Sequence, residues 1–95
     1  MSNYELIYIV HPDVSDEGLP GEVSKVNDLI TKLGGSVSET TQWGRKKMAY
    51  PIKKASEGNY VMAKLDLNPA KITELDTSLK TSGSILRHLV INPNN

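Results

Sequence analysis

The residues best equipped for chemistry lie in one run, Trp43-Gly44-Arg45-Lys46-Lys47-Met48-Ala49-Tyr50-Pro51-Ile52-Lys53-Lys54. An aromatic ring and five cations with no carboxylate suit holding an anion rather than transforming one. Lysines and arginines of this kind contact phosphates and position a protein without reading sequence. Residues 40–56 contain those five basic groups and no acid, which leaves six basic and eleven acidic groups on the rest of a chain of zero formal charge. Trp43, the only tryptophan, stands two residues from Arg45 and so on the same side of an extended chain. Gly44 between them lets a backbone approach closely. Basic residues on an edge strand also deter edge-to-edge aggregation, and spacing alone permits either role. Zero net charge argues against strong autonomous binding to nucleic acid.

Other chemistry is thin. The chain has no cysteine, so it has neither a thiol nucleophile nor a thiolate metal site, and nothing in it requires an oxidising compartment. No serine sits in a nucleophile elbow and no glycine loop could cradle a phosphate. His11, before Pro12, reads as a turn residue, and His88, beside Arg87, as a strand-surface or rim group. Neither has a carboxylate at ligand-like spacing, so no metal is expected. Asp13, Asp16 and Glu17 sit where a helix N-terminus attracts negative charge. The expectation is a protein that is not an enzyme and has no cofactor and no small-molecule substrate. The apolar run Leu6 to Val10 is too short for a signal or a membrane span, which points to a cytosolic protein without a membrane partner.

The elements that must position the basic run can be read from periodicity. At 95 residues the chain suits one domain, spanning 1–95 with residues 92–95 frayed, and burying roughly 60–65% of its unfolded surface. Residues 3–10 are aromatic and β-branched, a strand. Leu19, Val23, Val26, Ile30 and Leu33 recur at helical spacing, and Pro20 places the regular start near residue 19 or 20. Gly34-Gly35 stops that helix. Residues 36–43 and 45–54 read as extended around a bulge at Gly44, a turn is expected at 55–58, and 59–67 returns as a strand. Asn68-Pro69 caps a second helix marked by Ile72, Leu75 and Leu79, and 84–91 is a last strand. The order β-α-β-β-α-β predicts an α+β, ferredoxin-like sandwich: a four-stranded antiparallel sheet with both helices on one face. Its second strand lies at an edge, where Pro51 can spare an N–H.

A four-residue loop at 55–58 sets Ile52 opposite Val61, Tyr50 opposite Ala63 and Met48 opposite Leu65. Met48, Tyr50 and Ile52 then face the helices. Arg45, Lys47, Lys53, Tyr60, Met62, Lys64 and Asp66 face outward, with Lys46 and Lys54 at the ends of the inward row. On the first strand Tyr4, Leu6, Tyr8 and Val10 face the helices, while Ile7 and Ile9 point the other way. A central strand apolar on both sides suggests that something covers the open face. Stacking of RNA bases across the sheet finds little support, because the third strand reads Glu57-Gly58-Asn59-Tyr60-Val61-Met62-Ala63 with one aromatic and the chain has no phenylalanine.

The run Trp43 to Lys54 resembles the signature string on the second strand of the bacterial ribosomal protein S6 family, the sixth protein of the small subunit. Tyr4-Glu5-Leu6-Ile7-Tyr8-Ile9-Val10-His11-Pro12 is similar to that family's first strand. The resemblance covers essentially the whole chain. It implies a structural constituent of the small ribosomal subunit that binds the central domain of small-subunit ribosomal RNA together with small-subunit protein eighteen, supporting platform assembly. By matching position it makes Arg45, Lys46 and Lys47 the leading RNA contacts, followed by Lys53, Lys54 and Trp43, with Arg87 and His88 on the last strand weaker candidates. Ile7, Ile9, Tyr60 and Met62 are expected to offer that partner an apolar surface. Relatives carry basic residues before the tyrosine matching Tyr4, where this chain has Ser2 and Asn3, and some carry a long acidic tail, which is not expected beyond Asn95. The competing reading is a regulatory or protein-interaction module on the same fold, since this architecture hosts many functions.

Overall fold

A computed structural model describes residues 2–52 and 54–93. Strand β1 spans Ser2–Val10, helix α1 Leu19–Lys32, β2 Ser36–Ile52, β3 Ala55–Leu67, α2 Ile72–Lys80 and β4 Ile85–Ile91. A short 3-10 turn, Pro69–Lys71, precedes α2. The strands form one antiparallel sheet in the order β2-β3-β1-β4, so β2 is an edge strand and Pro51 lies on it. This is the ferredoxin-like β-α-β-β-α-β sandwich expected from the element order.

The helix boundaries follow local chemistry. Pro20 sits in the first turn of α1, where a missing N–H costs nothing, and Glu22 and Lys32 match the helix dipole at its two ends. At the far end Gly34 takes φ 89°, its N–H donates to the Thr31 carbonyl and that of Gly35 to the Ile30 carbonyl. This paired return is the Schellman stop, and it needs the left-handed glycine. Asn68 receives the Ala70 N–H on its side-chain oxygen at 3.0 Å, the cap expected before Pro69.

The core lies between the helices and one sheet face. Leu6, Tyr8 and Val10 of β1 and Val61, Ala63 and Leu67 of β3 are fully buried against Ile30 of α1 and Leu75 of α2. Burial, reinforced by the negative charge of Glu22, pushes the Tyr8 hydroxyl well above its ordinary pKa, so it stays neutral.

The hairpin departs from the expected register. β2 ends at Ile52 and β3 already begins at Ala55, with Lys54 at φ 66° just before it. Ile52 pairs with Ala55, while Val61, Ala63 and Leu65 pair with Gln42, Thr40 and Val37. Val37, not Met48, Tyr50 or Ile52, therefore packs beside the helix-covered core. Met48 and Ile52 join a second, smaller cluster with Ile9, Ala55, Leu86 and Tyr60, and Tyr50 is 57% exposed. Ser56-Glu57-Gly58 looks like turn vocabulary, but Gly58 serves close packing. A Cβ there would lie 2.5 Å from Ile9 Cγ2 and 2.9 Å from the Val10 carbonyl oxygen. The register of β2 also shifts between Val37 and Glu39, between Gln42 and Gly44, and between Lys47 and Ile52, so alternation counted from one end does not hold to the other.

Candidate functional site

Two neighbouring surfaces collect the residues singled out from the sequence. The first is the distal half of β2. Gly44, at φ 88°, sits at the register shift after Gln42. In a regular strand residues three apart lie on opposite faces, yet Lys46 Nζ lies 5.6 Å from the Trp43 ring centroid. The bulge has turned Trp43 toward Lys46 and away from its expected companion, Arg45. Arg45 is occupied: its Nη1 donates to Glu57 Oε1 at 3.2 Å and its Nη2 to the Pro12 carbonyl at 3.2 Å. The guanidinium thus ties the arm to the loop after β1. An exposed ion pair of this kind stabilises little, but it uses the donors a phosphate would need.

Lys46, Lys47 and Lys54 are exposed, and among the described residues none has a carboxylate within ion-pair distance. Lys53, also expected here, lies outside the described residues. The free positive charge of the arm therefore rests on lysines, point charges on flexible stems that suit unspecific phosphate contact.

The second surface is the open sheet face. Register places Ile7 beside Met62 and Leu89, and Ile9 beside Tyr60 and Arg87, so all four expected apolar residues share one face. A shallow depression of about 220 Å³ is lined by Ile7, Ile9, Tyr60, Arg87, His88 and Leu89. Leu89 is 55% exposed and Ile91 36%, large apolar side chains left in water. Sequence reasoning missed both. Their signal was the alternation of Arg87, Leu89 and Ile91 opposite Ile9, Ile7 and Glu5, which becomes visible only once β1 and β4 are paired.

Arg87 joins the two surfaces. Its Nη1 donates to the Tyr50 hydroxyl at 2.7 Å, holding the arm over the Ile9 end of the open face. Beneath the arm lies a smaller hollow of about 170 Å³ bounded by Met48, Ile52, Tyr60 and Arg87. His88 goes elsewhere. Instead of a rim group it is a largely buried residue on the helix side, its Nε2 2.6 Å from Asp76 Oδ1 on α2. Parity explains this, because His88 pairs with Tyr8, a helix-facing residue. His11 stays in the turn after β1, where its Nδ1 accepts the Asp13 N–H at 3.0 Å. No helix of the described residues is long and apolar enough to cross a membrane.

These surfaces sit on a chain with clear relatives. A sequence profile of Ribosomal protein S6 matches residues 3–92. Small ribosomal subunit protein bS6 of Moorella thermoacetica is 40% identical over 90 residues, spanning 95% of this chain and 92% of that protein. The bS6 protein of Fusobacterium nucleatum is 36% identical over 91 residues, spanning 96% and 97%. The crystal structure of 30S ribosomal protein S6 from Thermotoga maritima matches with a TM-score of 0.90 at 26% identity, over 98% of this chain and 88% of that one. Profile, relatives and fold agree: the chain belongs to the ribosomal protein S6 family, structural proteins of the small ribosomal subunit and not enzymes.

Proposed function

We propose that this small-subunit protein binds the central domain of the small-subunit ribosomal RNA through the lysine-bearing arm, together with small-subunit protein eighteen seated on the open sheet face. Relatives that are bacterial small-subunit proteins put its place of work on the cytoplasmic ribosome. The observation that carries the reading is the segregation of charge: a zero-charge chain concentrates five basic groups and no acid in residues 40–56, beside an apolar face. Counterion release scales with the phosphates neutralised, so a neutral protein with a few free lysines gains limited affinity alone. A basic partner supplies the remainder, drawn by the net acidic body and held by Ile7, Ile9, Tyr60, Met62, Leu89 and Ile91. Arg87, at the junction, can touch either component. His88, turned toward α2, is left out of the RNA-contact set.

The test is RNA affinity measured as a function of salt, with and without protein eighteen. The chain alone is expected to bind weakly at physiological salt and to gain strongly when the partner is added. Replacing Lys46 and Lys47 by glutamate should reduce the slope of log affinity against log salt by roughly one for each phosphate that is no longer neutralised. Equally tight binding by the chain alone, or an unchanged slope, would return the lysines to the edge-protecting role.

A further inference from the structure

We propose that Trp43 and Lys46 form a stacking site for a single unpaired RNA base, an inference that rests on the RNA-binding reading above. Tryptophan is usually well buried, yet Trp43 is 43% exposed and belongs to neither apolar cluster. Its exposure is built in. Gly44 takes a left-handed conformation, and a Cβ there would meet nothing within 4 Å, so glycine serves the backbone turn of the bulge and not close packing. What the bulge accomplishes is to bring the ring and the Lys46 ammonium to one side of the strand.

The surroundings select the ligand. Residues 40–56 carry no acid, and Glu57, which follows them, is paired with Arg45. Protein-binding cores are depleted of lysine, so a lysine-flanked tryptophan suits a nucleic acid better than a protein. Bases within an RNA duplex are already stacked and present only their edges, whereas an unpaired base offers a face to an aromatic ring. The ammonium over the indole is held only by a weak exposed cation–π contact. It can leave the ring to an incoming base and neutralise the adjoining phosphate. Lys47, the next residue, falls on the other side of the strand, opposite Glu57, so the site consists of Trp43 and Lys46.

Because Trp43 is the only tryptophan, its fluorescence reports on this site alone. The full chain is titrated at low ionic strength with a short oligouridylate and with a blunt RNA duplex of equal phosphate number, affinities being read from the anisotropy of labelled RNA. Oligouridylate is expected to quench Trp43 as it binds, and the duplex to bind without matching quenching. Trp43→Leu should weaken oligouridylate binding by about tenfold or more, as loss of one stacked base does, and leave duplex binding within about twofold. Trp43→Tyr should restore most of the difference. Oligouridylate binding without quenching, or equal losses for both RNAs in Trp43→Leu, would overturn the stacking site while leaving RNA binding intact. Failure of the unaltered chain to bind either RNA, with or without protein eighteen, would overturn the functional reading together with it.

Discussion

The two faces of the sheet are drawn from alternate residues of the same strands, yet they are finished differently. Leu6, Tyr8 and Val10 are closed over by α1 and α2 and fully buried. Ile7 and Ile9, their immediate neighbours, point the other way, and only the Ile9 end is covered, by Met48 and Ile52 of the folded-over arm. Leu89 and Ile91 stay in water. One face is therefore a folding core that is complete within the chain. The other is an apolar surface of the sort that marks association, rimmed by Arg87 and the lysine arm. Stability and assembly should respond separately to substitutions on the two sides.

The largest effect is expected in the covered core. Leu75→Ala on α2, where the side chain is fully buried, should cost about 2–5 kcal/mol, read as a lowered denaturation midpoint with little change in slope. A cost within about 0.5 kcal/mol, the range of ordinary surface changes, would mean that α2 does not seal this face.

The mirror experiment is on the open face. Leu89→Asp should change stability by no more than about 0.5 kcal/mol, because the side chain is exposed in the free chain. It should weaken association with protein eighteen by about tenfold or more, since a charge would then enter an apolar contact. Unaltered association in a pull-down or calorimetric titration would remove the contrast between the faces.

The smallest effect is expected on the helix side, at the rim of the covered core. The hydrogen bond from His88, followed by that from Lys80, holds the Asp76 carboxyl below its ordinary value of 3.8. A carboxylate whose folded pKa is depressed contributes stability above its unfolded value, and that contribution is lost as pH falls through the folded value. Asp76→Asn should therefore flatten the loss of stability below about pH 4 in denaturant midpoints, with a modest change at neutral pH because Asp76 is partly exposed. An acid limb identical to that of the parent chain would remove the His88–Asp76 pair as a contributor.

Much of this architecture was legible in local pattern. Leu19, Val23, Val26 and Ile30 recur at helical spacing and are buried as that spacing demands. Pro20, Gly34 and Asn68 act within a turn of their own position, so their roles as helix start, stop and cap could be read without knowing the fold. Pro51 signalled an edge, and the two-sided apolarity of β1 signalled an apolar open face. The hairpin was harder. Counting back from an assumed turn at 55–58 placed Met48, Tyr50 and Ile52 in the core, and three register shifts in β2 undid that count. Nothing within Glu57-Gly58 announces that Gly58 must clear Ile9, a residue 49 positions earlier.

Composition and short-range periodicity sufficed for the kinds of elements, their order, the helix-facing row of β1 and the concentration of positive charge in one acid-free run, because each depends on neighbours within a few residues. The free or occupied state of each charge depended on distant partners. Arg45 was claimed by Glu57 and Pro12, His88 by Asp76, and Arg87 by Tyr50. The pairing of Trp43 with Lys46 likewise came from a bulge that a strictly alternating strand would not contain. Side-chain direction in a sheet reverses with every residue, so a single slip in pairing reassigns a whole surface, and only the assembled sheet resolves it.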